Sequence, residues 1–540
     1  MSSGCVALLI PPGWTLATGG PHLGTALLAG ALLKQSIPVH LADWNLEMAR
    51  SFGATLTERD AQSACADPNL DSLNYPYFRA QEALNTALGS SSATWDIQQG
   101  YSDLRFDRKS PEAIQKALSE PSSLDHPLEA LAQRLLEDYD PTLIGISITV
   151  PGQLLPAFYA VKALRSVGFD RPIILGGNLV TRLGALMALP WVFDLIDGIA
   201  LWQGEISIPR IWSERHNREW NNIPNLIWRD RDQIRLNDTC QLAPSTFSLP
   251  DFRGLPLKHY WGSRFLTAIG SRGCYYGKCS FCSIPYGWGK GGFLGNDTAE
   301  NVIRQIESGV SNFGIHRFKF VEEAMHPGLI SSVADRLIQE ELNIEFEGYA
   351  RFDRPWMEPG LLARLSRSGL KKLYLGMELA RTEARSVLNK ADALSFVDLL
   401  AALQDHGIKA HLFCMFGYPG TGVDDAIETI NFALRHQEII DSLDIFPFYY
   451  ATHTIVPGIS ALNEPNAEWT VEQKYEPTVP GVMTMDEVSL LVQELEDYVW
   501  KVNPRWLHPV YRMVSPWTTA EQLRSANFGE IDSYVAAVSR

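Results

Sequence analysis

Two hydrophobic rhythms divide the chain. In the first, short apolar runs alternate with Ala- and Leu-rich stretches of helical length. Val6–Ile10 is an apolar run closed by Pro11-Pro12-Gly13, the pattern of a buried strand ending in a turn. His22–Lys34 predicts a helix and Val39–Ala42 a second strand, followed by Asp43. The rhythm resumes at Leu143–Thr149, continues through a helical stretch at Ala157–Val167, and recurs at Pro172–Asn178 and Gly198–Glu205. Short buried strands alternating with helices predict a parallel, doubly wound sheet, whose ligands sit beyond the carboxyl ends of the strands. Residues 51–139 interrupt it as a polar insertion with little strand character. It holds a serine run (Ser90–Ser92) and short helices at Pro111–Leu118 and Leu128–Leu136.

The second rhythm starts near Trp261. Six strands are predicted at Phe265–Ile269, Arg317–Val321, Glu345–Ala350, Lys372–Gly376, Lys409–Phe416 and Asp444–Phe448. Helical stretches at Ala299–Glu307, Leu329–Gln339, Glu358–Ser368, Leu394–His406 and Val423–Arg435 separate them. Repeated β–α units close into a full or partial barrel with its chemistry on the loops after the strands. After Ala461 the chain is irregular and Pro-rich except for one helix. Thr484-Met-Asp-Glu487 is a capping box ahead of Val488–Val499, which places Leu491, Leu495, Tyr498 and Val499 on one face. The fold class is therefore α/β: a Rossmann-like domain over residues 1–245, a partial (β/α)6 TIM-like barrel over 255–460, and a small, partly helical region over 461–540.

At 540 residues the chain is too long for one ordinary core. Its 46% hydrophobic and 20% charged residues are ordinary for a globular protein. A formal net charge of −16 argues against nucleic acid or an anionic membrane as partner. No apolar stretch reaches the roughly 18–20 residues that span a bilayer, and the first residues lack the basic region of a secretory leader. Seven cysteines, an odd and sparse set, fit a reducing compartment, so a cytoplasmic location is expected.

Three of those cysteines, Cys274, Cys279 and Cys282, fall within nine residues as C-x4-C-x2-C, just after the first barrel strand. Thiolates are the ligands of iron–sulfur clusters, and short spacings let one loop wrap the cluster. Three thiolates on a four-iron cluster leave one iron open to a substrate amine and carboxylate, as a catalytic metal keeps a site free. Gly273 and Gly277 ease close passage of the backbone. The alternative is zinc, which usually takes four ligands; no fourth Cys or His lies at familiar spacing, Cys240 and Cys414 being distant in sequence.

The cysteine loop, its place after the first barrel strand and the repeats that follow resemble the radical S-adenosylmethionine (SAM) superfamily. The usual spacing there is C-x3-C-x2-C with an aromatic before the third Cys; Phe281 supplies the aromatic, while the first gap is one residue longer. The resemblance implies a [4Fe-4S] cluster on Cys274, Cys279 and Cys282 that donates an electron to SAM. Cleavage then gives a 5′-deoxyadenosyl radical, which abstracts hydrogen from an unactivated carbon. It also implies SAM contacts at strand ends: Phe281 at the adenine, Glu378 after Gly376 at the ribose, Arg351 at the carboxylate, and Glu322 in Val321-Glu-Glu323.

Residues 1–245 resemble the cobalamin-binding domain that precedes the barrel in one large radical SAM subgroup. The matching pieces imply cobalamin contacts at Pro12, Ser147, Thr149, Gly176, Gly177, Asn178, Gly204 and Glu205. The Asp-x-His-x-x-Gly signature of base-off cobalamin enzymes is absent: His22 sits in Gly-Gly-Pro-His-Leu-Gly. What the subgroup implies is a cobalamin-dependent C-methyltransferase acting on a small molecule or peptide, served by an electron donor such as flavodoxin or ferredoxin. Tyr449, Tyr450 and His453, after the sixth strand, are candidates to line the substrate site. Two alternatives stay open: radical cyclisation or rearrangement without methyl transfer, and a non-catalytic protein stabilised by zinc or a cluster.

Overall fold

A computed structural model of the chain describes residues 4–14, 20–53, 76–89, 92–96, 100–260, 265–289, 292–390, 395–462, 468–503 and 506. Ser90 and Ser91 of the serine run, Trp261 and Leu394 lie outside the described residues. The chain forms two compact units: Met1–Arg264 together with Glu464–Val471, and Phe265–Asn463 together with Glu472–Arg540.

The first unit holds a sheet of β1 (Cys5–Ile10), β2 (Val39–Asp43), β5 (Pro141–Ser147), β6 (Ile173–Gly176), β7 (Gly198–Ala200), β8 (Leu226–Asp230) and β9 (Gln233–Leu236), in the order β2-β1-β5-β6-β7-β8-β9. The first five are parallel, as their unbroken apolar runs predict. In β1, Val6, Leu8, Leu9 and Ile10 are each at most 2% exposed, and each such side chain stabilises the fold by roughly 1.5–3 kcal/mol. The last two strands are antiparallel and were not evident in the sequence. β9 forms the sheet edge as a four-residue strand, mostly exposed, in which Gln233 and Arg235 alternate with Ile234 and Leu236; a short edge strand carrying a charge is a usual guard against pairing with another chain.

Strand order reverses between β1 and β5, so the crevice of a doubly wound sheet opens there. The insertion also departs from expectation, since it contains a hairpin of β3 (Ala93–Asp96) and β4 (Gly100–Asp103). Gly100 has φ +83°, and a Cβ there would lie 2.2 Å from the Gly13 carbonyl oxygen. The hairpin thus closes backbone to backbone on the loop after β1. Of the returning segment, Trp469 stacks between Phe158 and Trp191, each ring centroid 5.6 Å away, and its Nε1 donates to the Leu186 carbonyl at 2.9 Å.

In the second unit β10 (Leu266–Ala268), β13 (Arg317–Phe320), β14 (Glu345–Ala350), β15 (Leu370–Glu378), β16 (Lys409–Phe416) and β17 (Ser442–Pro447) form one parallel sheet in that order, an open (β/α)6 arrangement. Alternation separates its two faces. Phe318, Phe320, Phe346, Leu373, Leu375, Leu412 and Leu443 are each at most 1% exposed. The intervening Lys319, Glu347, Tyr374 and His411 are polar and satisfy one another or their neighbours. Lys319 lies 3.4 Å from Glu347, Tyr374 donates to Glu347 at 3.2 Å, and His411 Nδ1 lies 2.8 Å from Ser442 Oγ.

Two local expectations are corrected. The cysteines do not follow β10 directly: a short β11 (Ser271–Gly273), paired antiparallel with β12 (Phe293–Asn296), intervenes. In the helix Met485–Val502, capped by Thr484 and Glu487 as read, Tyr498 is 46% exposed. Val488 and Val492 take its place beside Leu491, Leu495 and Val499, because the buried stripe centres one position away. Replacing fully buried Phe346, whose ring meets Phe320 at 5.5 Å, with alanine should cost about 3–5 kcal/mol in urea unfolding. Tyr498→Ala should shift the same curve by less than about 0.5 kcal/mol.

Candidate functional site

The cysteine loop begins where only glycine fits. Gly273 has φ +88°, and a Cβ would stand 2.0 Å from the Gly292 carbonyl oxygen across the β11–β12 ribbon. Beyond it Cys274, Cys279 and Cys282 are half-buried, free thiols. The loop takes its shape from a distant segment. Ser280 N donates to the Leu388 carbonyl at 3.1 Å, Asn389 Nδ2 to the Lys278 carbonyl at 2.7 Å, and Tyr276 OH to the Asn389 carbonyl. Tyr418 OH adds a bond to Ser280 Oγ at 2.8 Å.

Burial pushes the Cys282 thiol up to about 12 and raises Cys279 as well, the latter opposed by the charges of Lys390 and Arg351. Each also feels the other cysteines, as expected of groups sharing one space. Such thiols keep their protons at neutral pH until a cation displaces them. Among the described residues no three His, Cys, Asp or Glu side chains converge on a single-ion site. A four-iron cube spreads its thiolates wider than the ~2.3 Å bonds of one zinc. Cys414 lies fully buried in β16, so the donor set nearby is three thiols, which fits a cluster with one open iron.

Around the loop stand the strand-end residues. Glu322 is 1% exposed; its Oε1 accepts from Gly270 N at 3.2 Å, its Oε2 has no partner, and burial pushes the carboxyl up to about 8. Glu323 accepts from Trp288 Nε1 at 2.6 Å and also leaves Oε2 without a partner. Two buried carboxyl oxygens side by side can accept from an ammonium group. Glu378, at φ +61° beside an irregularity in β15, is ion-paired to Lys390 Nζ at 2.7 Å. A Cβ on Gly376 would meet that Nζ at 2.4 Å, and the same ammonium lies 5.9 Å over the Phe281 ring. Arg351 is 5% exposed. Its Nε lies 3.2 Å from Asp353 Oδ2, its Nη1 3.8 Å from Cys279 Sγ, and its guanidinium covers the Tyr276 ring at 3.6 Å. A cavity of about 480 Å³ is lined by Tyr275, Tyr276, His326, Arg351 and Asp353 among others. His453, at φ +67°, stacks on Tyr286 at 3.5 Å, in the turn after Cys282. Tyr449 is 45% exposed, and Tyr450 lies in a two-residue strand. Lys390, Trp288 and Asn389 were missed, since no spacing marks a residue that acts through a fold contact.

In the first unit, Pro12 follows β1, while Ser147 ends β5 and Thr149 lies in the loop after it, flanking the crevice where strand order reverses. Gln153, also missed, ties the two loops: Thr149 N donates to its Oε1 at 2.8 Å and its Nε2 donates to the Pro11 carbonyl at 3.1 Å. Gly177 has φ +105° at the start of the helix Asn178–Leu183, and a Cβ there would lie 2.4 Å from the Ile148 carbonyl oxygen. Gly176 ends β6, and Gly204 and Glu205 open the helix Gly204–Ser213 after β7. His22 caps the helix Leu23–Lys34, accepting from Thr25 N at 3.1 Å while Nε2 meets Thr149 Oγ1 at 3.0 Å. Burial lowers it to about 4, so the imidazole is neutral.

Residues 269–433 match the model of the radical SAM superfamily. That stretch is a radical SAM domain, and the protein is an enzyme. No curated protein matches the chain. Among solved structures, the radical SAM methyltransferase TsrM from Kitasatospora setae, with tryptophan substrate and a SAM analogue bound, has 14% identity and a TM-score of 0.61; the match covers 99% of this chain and 100% of that one. The same methyltransferase with cobalamin and a [4Fe-4S] cluster bound has 12% identity and a TM-score of 0.60, covering 93% and 90%. The cobalamin-dependent SAM radical enzyme OxsB, with aqua-cobalamin and SAM bound, has 13% identity and a TM-score of 0.62, covering 98% and 71%. At these identities the likeness is one of fold, and it spans both units of the chain. Among the described residues no helix is long and apolar enough to cross a membrane.

Glu322 holds its proton to about pH 8 in the fold but only to about 4.5 when unfolded. Between these values the native state binds more protons, so its contribution to stability is full below 4.5 and is lost as pH rises toward 8. In the metal-free protein, Glu322→Gln should therefore flatten the decline of the urea midpoint between pH 5 and 8; an unchanged slope would refute this.

Proposed function

We propose that this enzyme is a cobalamin-dependent radical SAM C-methyltransferase that methylates an unactivated carbon of a natural product or peptide. The observation that supports it most is the three-thiol loop standing with the partnerless carboxyl oxygens of Glu322 and Glu323 at one end of a parallel sheet. Cys274, Cys279 and Cys282 would hold the cluster. Glu322, Glu323 and Glu378 would meet the ammonium and ribose of SAM, with Phe281 and Gly376 beside the adenosine. Together, cluster and SAM supply reductive cleavage of a sulfonium bond to give a carbon radical.

The chain's own work is to bind and orient. Glu322, its carboxyl pushed up to about 8 by burial, can accept a hydrogen bond from the SAM ammonium through its carbonyl oxygen. Lys390 holds Glu378 at the end of β15, where a carboxylate can take a vicinal diol. In the first unit, which we take to be the cobalamin-binding domain up to about residue 245, Pro12, Ser147, Thr149, Gly176, Gly177, Asn178, Gly204 and Glu205 would meet the corrin edge and nucleotide tail. The backbone amides of the Gly177–Asn178 turn suit the phosphate there. Tyr449, Tyr450 and His453 would line the substrate site of the barrel over residues 255–460, and a flavodoxin or ferredoxin would supply electrons.

Anaerobic reconstitution should give about four irons and four sulfides per chain, and alanine at any of the three cysteines should abolish SAM cleavage. With cobalamin added, corrin absorption should appear on the protein, and methyl-labelled SAM should pass label to cobalamin. Cluster assembly and SAM cleavage without cobalamin uptake would overturn the methyltransferase reading.

A further inference from the structure

The first gap of the cysteine motif is one residue longer than the usual radical SAM spacing, and two of its four residues are adjacent tyrosines, Tyr275 and Tyr276. Both are engaged with the end of β14. Tyr276 lies flat under the Arg351 guanidinium at 3.6 Å, and its OH donates to the Asn389 carbonyl. Tyr275 OH donates to Asp353, whose other contacts are with Arg351 Nε at 3.3 and 3.2 Å. This clamp leaves Arg351 Nη1 directed at Cys279 Sγ, 3.8 Å away. With the arginine 5% exposed, its charge is little screened by water.

We propose that Arg351 is a positioning residue for the cluster. The Tyr275–Tyr276 pair and Asp353 hold its guanidinium against the Cys279 sulfur, where it favours the reduced state. This rests on the cluster assignment above. A cluster bound by three thiolates gains one negative charge when it accepts an electron, and hydrogen bonds and charge at the sulfurs set how readily it does so. A fixed cation at sulfur-contact distance stabilises that added charge. Asp353 opposes it from the Nε side, one bond network further out, so the two residues should act with opposite signs. Lys390 is the other cation near Cys279, and its charge is ion-paired to Glu378 at 2.7 Å.

The test is an anaerobic redox titration of the reconstituted full-length protein without SAM, read by electron paramagnetic resonance, with iron and sulfide measured for each variant. Arg351→Gln should keep the native iron content and disfavour reduction about tenfold, which is ~59 mV for a one-electron couple. Arg351→Lys should recover part of the shift, and Asp353→Asn should move the midpoint in the opposite direction. An unchanged midpoint in Arg351→Gln, or equal displacement in Arg351→Gln and Arg351→Lys, would overturn the proposal. Should Arg351→Gln assemble no cluster, Tyr276→Leu decides: a shift of the same sign supports the clamp, and a native midpoint sinks it. Failure of the native protein to bind iron would instead refute the cluster assignment itself.

Discussion

The cysteine loop makes almost no regular structure of its own, and everything at the strand-end face of the second unit depends on how it is gripped. Its register is imposed from outside, by backbone and side-chain bonds to residues 387–390, which lie more than a hundred positions later in the chain. Those residues also deliver Lys390 to Glu378, so one short segment fixes both the thiols and a carboxylate of the same site.

That arrangement has an electrostatic cost which the fold offsets locally. Three thiols, several carboxyl groups and two cations are buried together, and each charged form loses hydration. The cations lie nearest Cys279, the hydrogen-bond donors go to Glu322 and Glu323, and Asp353 balances Arg351. The polar interior face of the sheet follows the same rule: Lys319, Glu347 and Tyr374 form one neutral set.

The architecture was largely readable from periodicity. β14 and β16 fall on their predicted residues because buried parallel strands give continuous or strictly alternating apolar runs. Strands β8 and β9 and the β3–β4 hairpin escaped, since each is only four or five residues long and mixes apolar with polar or charged side chains, too short a run to show a period. The site divided along the same line. Cysteine spacing is local and visible, so Cys274, Cys279 and Cys282 could be named at once. Lys390, Trp288 and Gln153 act through contacts between distant loops, and nothing in their neighbourhoods marks them. Arg351 was picked out by its place after a strand, but sequence could not say that its donors turn toward Asp353 and Cys279 rather than outward.

The contact between Gly100 and Gly13 bears on how the first unit can vary among relatives. The hairpin meets the loop after β1 without a side chain intervening, and Gly13 itself donates its amide to Asn45 Oδ1 at 2.9 Å. Such an anchor is a backbone contact, separate from the buried Trp95 and Tyr101 that pack the hairpin's side chains. A relative with a methyl group at the Gly100 position must instead seat the hairpin elsewhere, and the mouth of its crevice would be reshaped with no change to the strands that form it.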